Sequence, residues 1–316
     1  MSPQVSILMA AFNAQRYVRF AVDSVRAQSL KDWELIVVDD ASTDGTWDIL
    51  WAYAEMDARI RVFRQDTNQG QAVARNRALS VARGKFLCML DADDWFSTDA
   101  LEMAISQFAT EGVDSVVFTL RSHYSDGREE DYAMPFLPGD VISGAEAFEK
   151  SMDWTVHGLY MVRRELHLRY PFDDRLRLYS DDNTSHLHYL HSRRVAFCQG
   201  VYYYRRHVGS STTAVSPRRF LHLEANWLLM QQLRQEGVGK HILDKYNRTR
   251  WHNYKALLRL YHVHGRTFTP QERDDVHALL CRMYKTFRRA LPFPLFELRQ
   301  WFGFFTSSFL RYFRIY

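Results

Sequence analysis

Of 316 residues, 47% are hydrophobic and 25% charged, with 14 glycines and 8 prolines; this excludes a disordered or collagen-like chain and leaves room for one large domain plus an appendage, or two domains. The net charge of +4 is uneven, since residues 1–233 are net acidic and the basic excess begins at Arg234. Three widely separated cysteines, Cys88, Cys198 and Cys281, imply a reducing compartment and neither a disulfide framework nor a zinc site, and no apolar run approaches the roughly 20 residues of a spanning helix.

The chain enters the strand-like run VSILMA almost at once, so no signal peptide is expected. AQRYVRFAVDSVRAQ follows as an amphipathic helix with Tyr17, Val18, Ala21, Val22 and Val25 on one stripe, and WELIVVDD is a second strand. The alternation repeats: GTWDILWAYAEM is helical, RIRVFRQ a strand, GQAVARNRALSVA a helix, KFLCML a strand, TDALEMAISQFATE a helix and DSVVFTL a strand. This order predicts an α/β fold, a mostly parallel sheet with helices on both faces, whose ligands lie beyond the carboxyl ends of the strands. Two acidic groups fall at that edge: Asp39 and Asp40 end one strand, and Asp91, Asp93 and Asp94 in KFLCMLDADDWF end another. Carboxylates this close raise one another's pKa unless a cation or water relieves them. A solvated turn with Asp94 capping the next helix explains one group, whereas a shared ligand explains both.

VSILMAAFNAQRYVRFAVDSVRAQSLKDWELIVVDDASTDGT and NQGQAVARNRALSVARGKFLCMLDADD together resemble the family-2 glycosyltransferases, inverting enzymes with the GT-A nucleotide-sugar-binding (Rossmann-like) fold. The resemblance covers residues 4–120 strongly and 150–212 more weakly. It implies a catalytic domain over residues 1–215, with a nucleotide-sugar half to residue 120 and an acceptor half from 121, followed by a helical region over 216–316. It further implies that Asp40 accepts a hydrogen bond from the uracil of a UDP-sugar, beside a base pocket lined by Ala10, Ala11 and Phe12. By the same resemblance Asp91 contacts the ribose or a metal-bound water, and Asp93 is the principal metal ligand. The residue chemistry agrees: carboxylates suit Mn²⁺ or Mg²⁺, which stabilise the charge growing on a diphosphate leaving group. Arg75 offers a forked contact to diphosphate or base, with a surface ion pair as the plain alternative.

Direct displacement at an anomeric carbon also needs a carboxylate to take the acceptor's proton. FDDRLRLYSDDNTSHLHYL resembles the family segment in which an acidic pair precedes an amphipathic helix. The family usually has Glu-Asp where this chain has Asp181-Asp182, which leaves the register open by one; Asp182 is preferred as base and Asp181 as its neighbour, with helix caps as the alternative. VYYYRRHVGSSTT resembles the family's tyrosine-rich strand and Arg-x-His, implying Arg205 beside the leaving group and His207 at the metal or a phosphate. DWTVHGLYMVRREL resembles the acceptor side, which puts Trp154 and His157 at the acceptor pocket. His186 and His188 face different sides of a helix and are not a zinc site with His191.

Past Ser216 the chain reads as helical. The final stretch LFELRQWFGFFTSSFLRYFRIY carries an aromatic stripe, with Lys285, Arg288, Arg289, Arg299, Arg311 and Arg314 beside or within it. Residues 293–316 therefore suit the surface of an anionic bilayer, and packing on the chain's own core or on a second copy in a homodimer is the alternative. The expectation is a metal-dependent inverting glycosyltransferase. It would move a hexosyl or N-acetylhexosaminyl group from a nucleotide sugar to a glycan or lipid-linked acceptor in bacterial surface polysaccharide synthesis, in the cytoplasm at the inner face of the membrane, with no nucleic acid as partner. Two alternatives stay open: a nucleotide-sugar-binding scaffold that has lost its base, and a nucleotidyltransferase, for which AAFNAQRY lacks the expected glycine-rich loop.

Overall fold

The computed structural model describes residues 2–206 and 215–287; His207 and residues 288–316, with the whole aromatic tail, lie outside the described residues. The strands are β1 (Val5–Ala11), β2 (Trp33–Asp39), β3 (Ile60–Arg64), β4 (Phe86–Met89), β5 (Trp95–Phe96), β6 (Val113–Tyr124), β7 (Glu129–Asp131), β8 (Val141–Ser143), β9 (Tyr160–Arg163) and β10 (Arg194–Arg206). The helices are α1 (Val18–Arg26), α2 (Thr46–Met56), α3 (Gln71–Val81), α4 (Ala100–Gln107), α5 (Gly144–Ser151), α6 (Arg164–Arg169), α7 (Ser180–His191), α8 (Leu221–Gln235), α9 (Lys240–His264) and α10 (Pro270–Lys285).

One sheet runs in the order β3-β2-β1-β4-β9-β6-β10-β5, with β7 on β6 and β8 on β10. β3, β2, β1 and β4 are parallel, as their alternation with helices requires, because a parallel neighbour is reached only through a crossover. The expectation of a mostly parallel sheet holds for this half, whereas β9 lies antiparallel between β4 and β6. The period of two along β1 sends Val5, Ile7 and Met9 to the layer containing α1, α2 and α4, and Leu8 to the opposite layer containing α3, α5 and α7. Leu229, Met230 and Leu233 of α8 and Ile242 and Tyr246 of α9 extend that second layer, so the helical region closes over the same face as α7. A separate cluster, including Phe220, Leu258, Val276 and Leu280, joins α8, α9 and α10. No helix among the described residues is long and apolar enough to cross a membrane.

The first expected helix begins later than its periodicity suggests. Residues 14–17 form a turn instead, because the Ala14 amide donates to Thr46 Oγ1 at 2.8 Å and the Gln15 side chain accepts from the Gly45 amide at 2.9 Å, tying the loop after β1 to the loop after β2. These tertiary bonds outcompete one more helical turn.

Candidate active site

Strand order places the two acidic ends beside each other. The chain steps from β1 to β2 and β3 on one side, then crosses to β4 on the other side of β1, so a crevice opens where the direction reverses. Asp40 follows β2 and Asp91 to Asp94 follow β4, at the same edge of the sheet.

Asp40 is buried and organises the wall of this crevice. Its carboxylate accepts from the Gln69 and Gly70 amides, both at 2.8 Å, and from Gln65 Nε2 at 2.5 Å. Gly70 has φ +95°, a conformation that favours glycine, so the loop can turn both amides onto one carboxylate. Asp40 thus holds the 68–70 loop in this structure, a task the sequence did not disclose. Asp39, with no exposed surface, accepts from the Ser42 amide and pairs with Arg64 at 3.2 Å, while its Oδ1 is buried without a partner. Ala10 is half-buried and Phe12 exposed at the end of β1.

The loop after β4 is held from β10. Tyr202 Oη accepts from the Asp91 amide at 3.1 Å and donates to Asp94 Oδ2 at 3.0 Å. The Arg205 amide donates to Asp94 Oδ1 at 2.8 Å, and Arg205 Nε donates to the Asp93 carbonyl at 2.8 Å. The Arg205 guanidinium also lies 4.5 Å from the Trp95 ring and 5.0 Å from that of Tyr17. Asp94 is therefore not a helix cap: it is 1% exposed, and Asp99 occupies the residue before α4. Tyr202, unassigned from sequence, is the anchor of the acidic loop; its only signal was a run of tyrosines on a strand reaching the acidic edge.

One carboxylate oxygen from each of Asp91, Asp93 and Asp94 lies within 4.8 Å of the other two. Burial pushes the Asp94 carboxyl well above the usual carboxylate range, and the charges of Asp91 and Asp93 push it the same way. Asp91 is also raised, first by burial; Arg75 pulls against this, and Asp93 and Asp181 add to it. It keeps 36% of its side-chain surface open. A hard divalent cation relieves this kind of repulsion, and an all-carboxylate donor set fits Mn²⁺ or Mg²⁺.

Opposite this loop, Asp181 and Asp182 lie in the first turn of α7, where the helix dipole favours carboxylates. Neither acts as a side-chain cap. Arg75, projecting from α3, joins the two groups: it pairs with Asp91 and, at 3.4 Å, with Asp181. At 2% exposure it forms a buried bridge, not the surface ion pair considered above. Asp182 is pushed well above the usual carboxylate range by burial and by Asp181, with Arg75 opposing.

The two residues expected on the acceptor side differ in exposure. Trp154 is 45% exposed and held at φ +64°, a costly conformation for a bulky residue, with its carbonyl accepting from Tyr132 Oη at 2.6 Å. His157, expected at the acceptor pocket, is fully buried in this structure. Its Nδ1 accepts from the Leu159 amide, and burial lowers its pKa to about 4, so it stays neutral near pH 7. His186 and His188 are likewise buried, on Ser151 and on Tyr160 with the Tyr170 carbonyl.

The family model described as glycosyl transferase family 2 matches residues 6–172, which stops short of Asp181 and Asp182. Among curated proteins, the chain is 48% identical over 100 residues to the putative teichuronic acid biosynthesis glycosyltransferase TuaG of Bacillus subtilis, covering 32% of this chain and 40% of that protein. It is 37% identical over 120 residues to the Escherichia coli UDP-Glc:alpha-D-GlcNAc-diphosphoundecaprenol beta-1,3-glucosyltransferase WfaP, covering 38% and 46%. The chain thus spans less than half the length of these two relatives. Staphylococcus aureus TarS 1–349 in complex with UDP-GlcNAc superposes with a TM-score of 0.69 at 20% identity, covering 92% of this chain and 82% of that one, which shows a shared GT-A fold. With the family model covering more than half of its residues, this chain belongs to glycosyl transferase family 2.

Proposed function

We propose that the chain is a metal-dependent inverting glycosyltransferase that moves a sugar from a nucleotide sugar of the UDP class to a hydroxyl of a glycan or lipid-linked acceptor in bacterial surface polysaccharide synthesis. The observation that carries this reading is the meeting of two carboxylate groups across one crevice: Asp91, Asp93 and Asp94 on the sheet side, Asp181 and Asp182 on α7, joined by Arg75. The WfaP name, with its UDP-glucose donor and diphosphoundecaprenol acceptor, supports the donor and acceptor classes, and TarS supports a UDP-sugar.

In this reading Asp93, with Asp91 beside it, holds the cation, which when bound stabilises negative charge on the departing diphosphate. Asp182 accepts the proton of the acceptor hydroxyl as that oxygen attacks the anomeric carbon. The bond from that carbon to the diphosphate breaks, and its electron pair leaves with the nucleotide. The raised proton affinity of Asp182 suits a base, whereas Asp181 faces Arg75. Arg205, fixed on the acidic loop, places a positive charge near the leaving group, and the loop that Asp40 holds walls the base pocket beside Ala10 and Phe12. Trp154 offers an exposed ring to the acceptor. His207 remains a proposed ligand to metal or phosphate from sequence alone.

The deciding experiment incubates the purified protein with a panel of UDP-, GDP- and dTDP-sugars plus Mn²⁺ and follows nucleotide release. A UDP-sugar should be turned over and chelation should stop it; turnover of none of them by folded protein overturns the reading. With an acceptor present, the product should show the anomeric configuration opposite to the donor's, since one base acts and no carboxylate nucleophile is assigned. Retention in the proton NMR coupling constants would refute single displacement.

The basic and aromatic tail supports a peripheral site on an anionic membrane, each basic residue contributing about 1 kcal/mol near such a surface. The intact chain should float with anionic liposomes at low salt, and a chain lacking residues 293–316 should not. Failure of the intact chain to float removes membrane contact from the proposal, and dissociation of a dimer on truncation favours the alternative of a second copy.

A further inference from the structure

Arg75 was expected to touch the donor, yet its surroundings fit that role poorly. It is 2% exposed, and separate guanidinium nitrogens face separate carboxylates: one reaches Asp91, at the end of β4, and another reaches Asp181, at the start of α7. The Phe172 ring lies 5.5 Å from the guanidinium carbon. The next residue, Asn76, fixes the backbone of Phe172 from both sides, donating to its carbonyl at 2.8 Å and accepting from its amide at 3.1 Å. α3 therefore grips two points of the segment leading into and starting α7, through Asn76 at residue 172 and through Arg75 at residue 181.

We propose that Arg75 is a positioning residue, a buried clasp that sets the distance between the donor-side acidic loop and the amino end of α7, and so holds Asp182 where an acceptor hydroxyl must present its proton. The inference rests on the reading of Asp182 as the base. Its physical ground is that Asp181 in the first turn of α7 and Asp91 of the acidic loop share one guanidinium, two like charges close enough to push the helix from the loop unless a cation lies between them. A planar guanidinium can bind two carboxylates at once with fixed geometry, whereas a lysine ammonium is a point charge on a flexible stem. The sequence separates these residues widely, so nothing along the chain discloses the bridge. Asn76 and Phe172 make the clasp rigid by leaving the linker before α7 little freedom.

The test compares Arg75→Lys and Arg75→Gln in the full chain, with kcat normalised to the fraction that binds UDP. A clasp predicts that both variants lose kcat by about 10²-fold, the cost of misplacing a catalytic group by roughly 1 Å, while donor KM, which feels only the freed Asp91, rises by far less than that factor. A donor contact predicts the reverse, a raised donor KM with kcat kept, and that result overturns the proposal. Normalised kcat equal to wild type in both variants also overturns it, because the role would then be structural alone. Thermal unfolding of Arg75→Gln, Asp181→Asn and the double variant gives a second readout that needs no turnover. The clasp predicts that the double variant loses less melting temperature than the two single losses added, and strict additivity refutes it. If Arg75→Gln does not fold, Arg75→Lys carries the kinetic arm, and Arg75→Lys with Asp181→Asn the thermal one. Should wild type turn over no nucleotide sugar, the transferase reading fails while the thermal cycle still decides whether the clasp exists.

Discussion

Replacing Asp182 by Asn should lower kcat by about 10²–10⁴-fold, the usual worth of a positioned base, while UDP-sugar binding measured by calorimetry stays intact. The amide keeps the shape of the side chain and loses its basicity. The pH profile of the wild type gives a linked expectation. Burial and the neighbouring Asp181 raise the Asp182 carboxyl well above the usual carboxylate range, and a base acts only when deprotonated. Activity should therefore fall on the acid side at a pH above the range where ordinary carboxylates titrate. Stability follows the opposite sign: the folded state binds this proton more tightly than the unfolded chain, so the ionised side chain subtracts stability above its raised pKa. Asp182→Asn should melt higher than wild type at neutral pH, and the difference should shrink as the pH falls and the wild type takes up its proton. If Asp181→Asn alone abolishes transfer with binding kept, the base is Asp181 and the assignment is wrong by one residue.

Asp93→Ala should abolish Mn²⁺-dependent turnover and Mn²⁺-dependent UDP binding without lowering the melting temperature. The expected loss is at least about 10³-fold, because charge stabilisation by a bound cation supplies several kcal/mol of the transition-state energy. The fold should survive because Asp93 is half-buried at the crevice, while the loop is anchored through the Asp91 amide, the Asp94 carboxylate and the Asp93 backbone carbonyl. Removing one of three close carboxylates also relieves repulsion on Asp91 and Asp94. A variant retaining turnover that chelation still stops would place the cation elsewhere, and a variant that unfolds would show Asp93 to be structural.

These expectations divide according to how far apart in the chain their causes lie. The apolar runs at 5–11, 33–39 and 86–89, and the helices between them, were legible because their signals are local: a buried strand is a short apolar run, and an amphipathic helix repeats its apolar positions within a few residues. Their alternation also fixes which edge of the sheet collects Asp40 and Asp91. The short strands β5, β7 and β8 escaped, since two or three residues carry no periodicity, and β9 escaped because an antiparallel insertion depends on its neighbours in the sheet. The burial of His157 was hidden for the same reason: a histidine in a polar-looking segment reads identically whether it faces solvent or lies under Tyr132 and Tyr189.

By itself the sequence determined the α/β alternation, the acidic character of the two strand ends and the resemblance of its motifs to family-2 glycosyltransferases. Tertiary structure alone decided what each carboxylate faces. Asp40 turns to the 68–70 amides, Asp94 to Tyr202 and Arg205, and Asp91 to Arg75 with Asp181 on its far side. The reason is that charge, burial and hydrogen bonding act through space over a few ångströms, between residues that lie about a hundred apart in sequence, as Asp91 and Asp181 do. A pattern along the chain can therefore name the acids, while only the packing of α3, β10 and α7 around them assigns each its partner and its proton affinity.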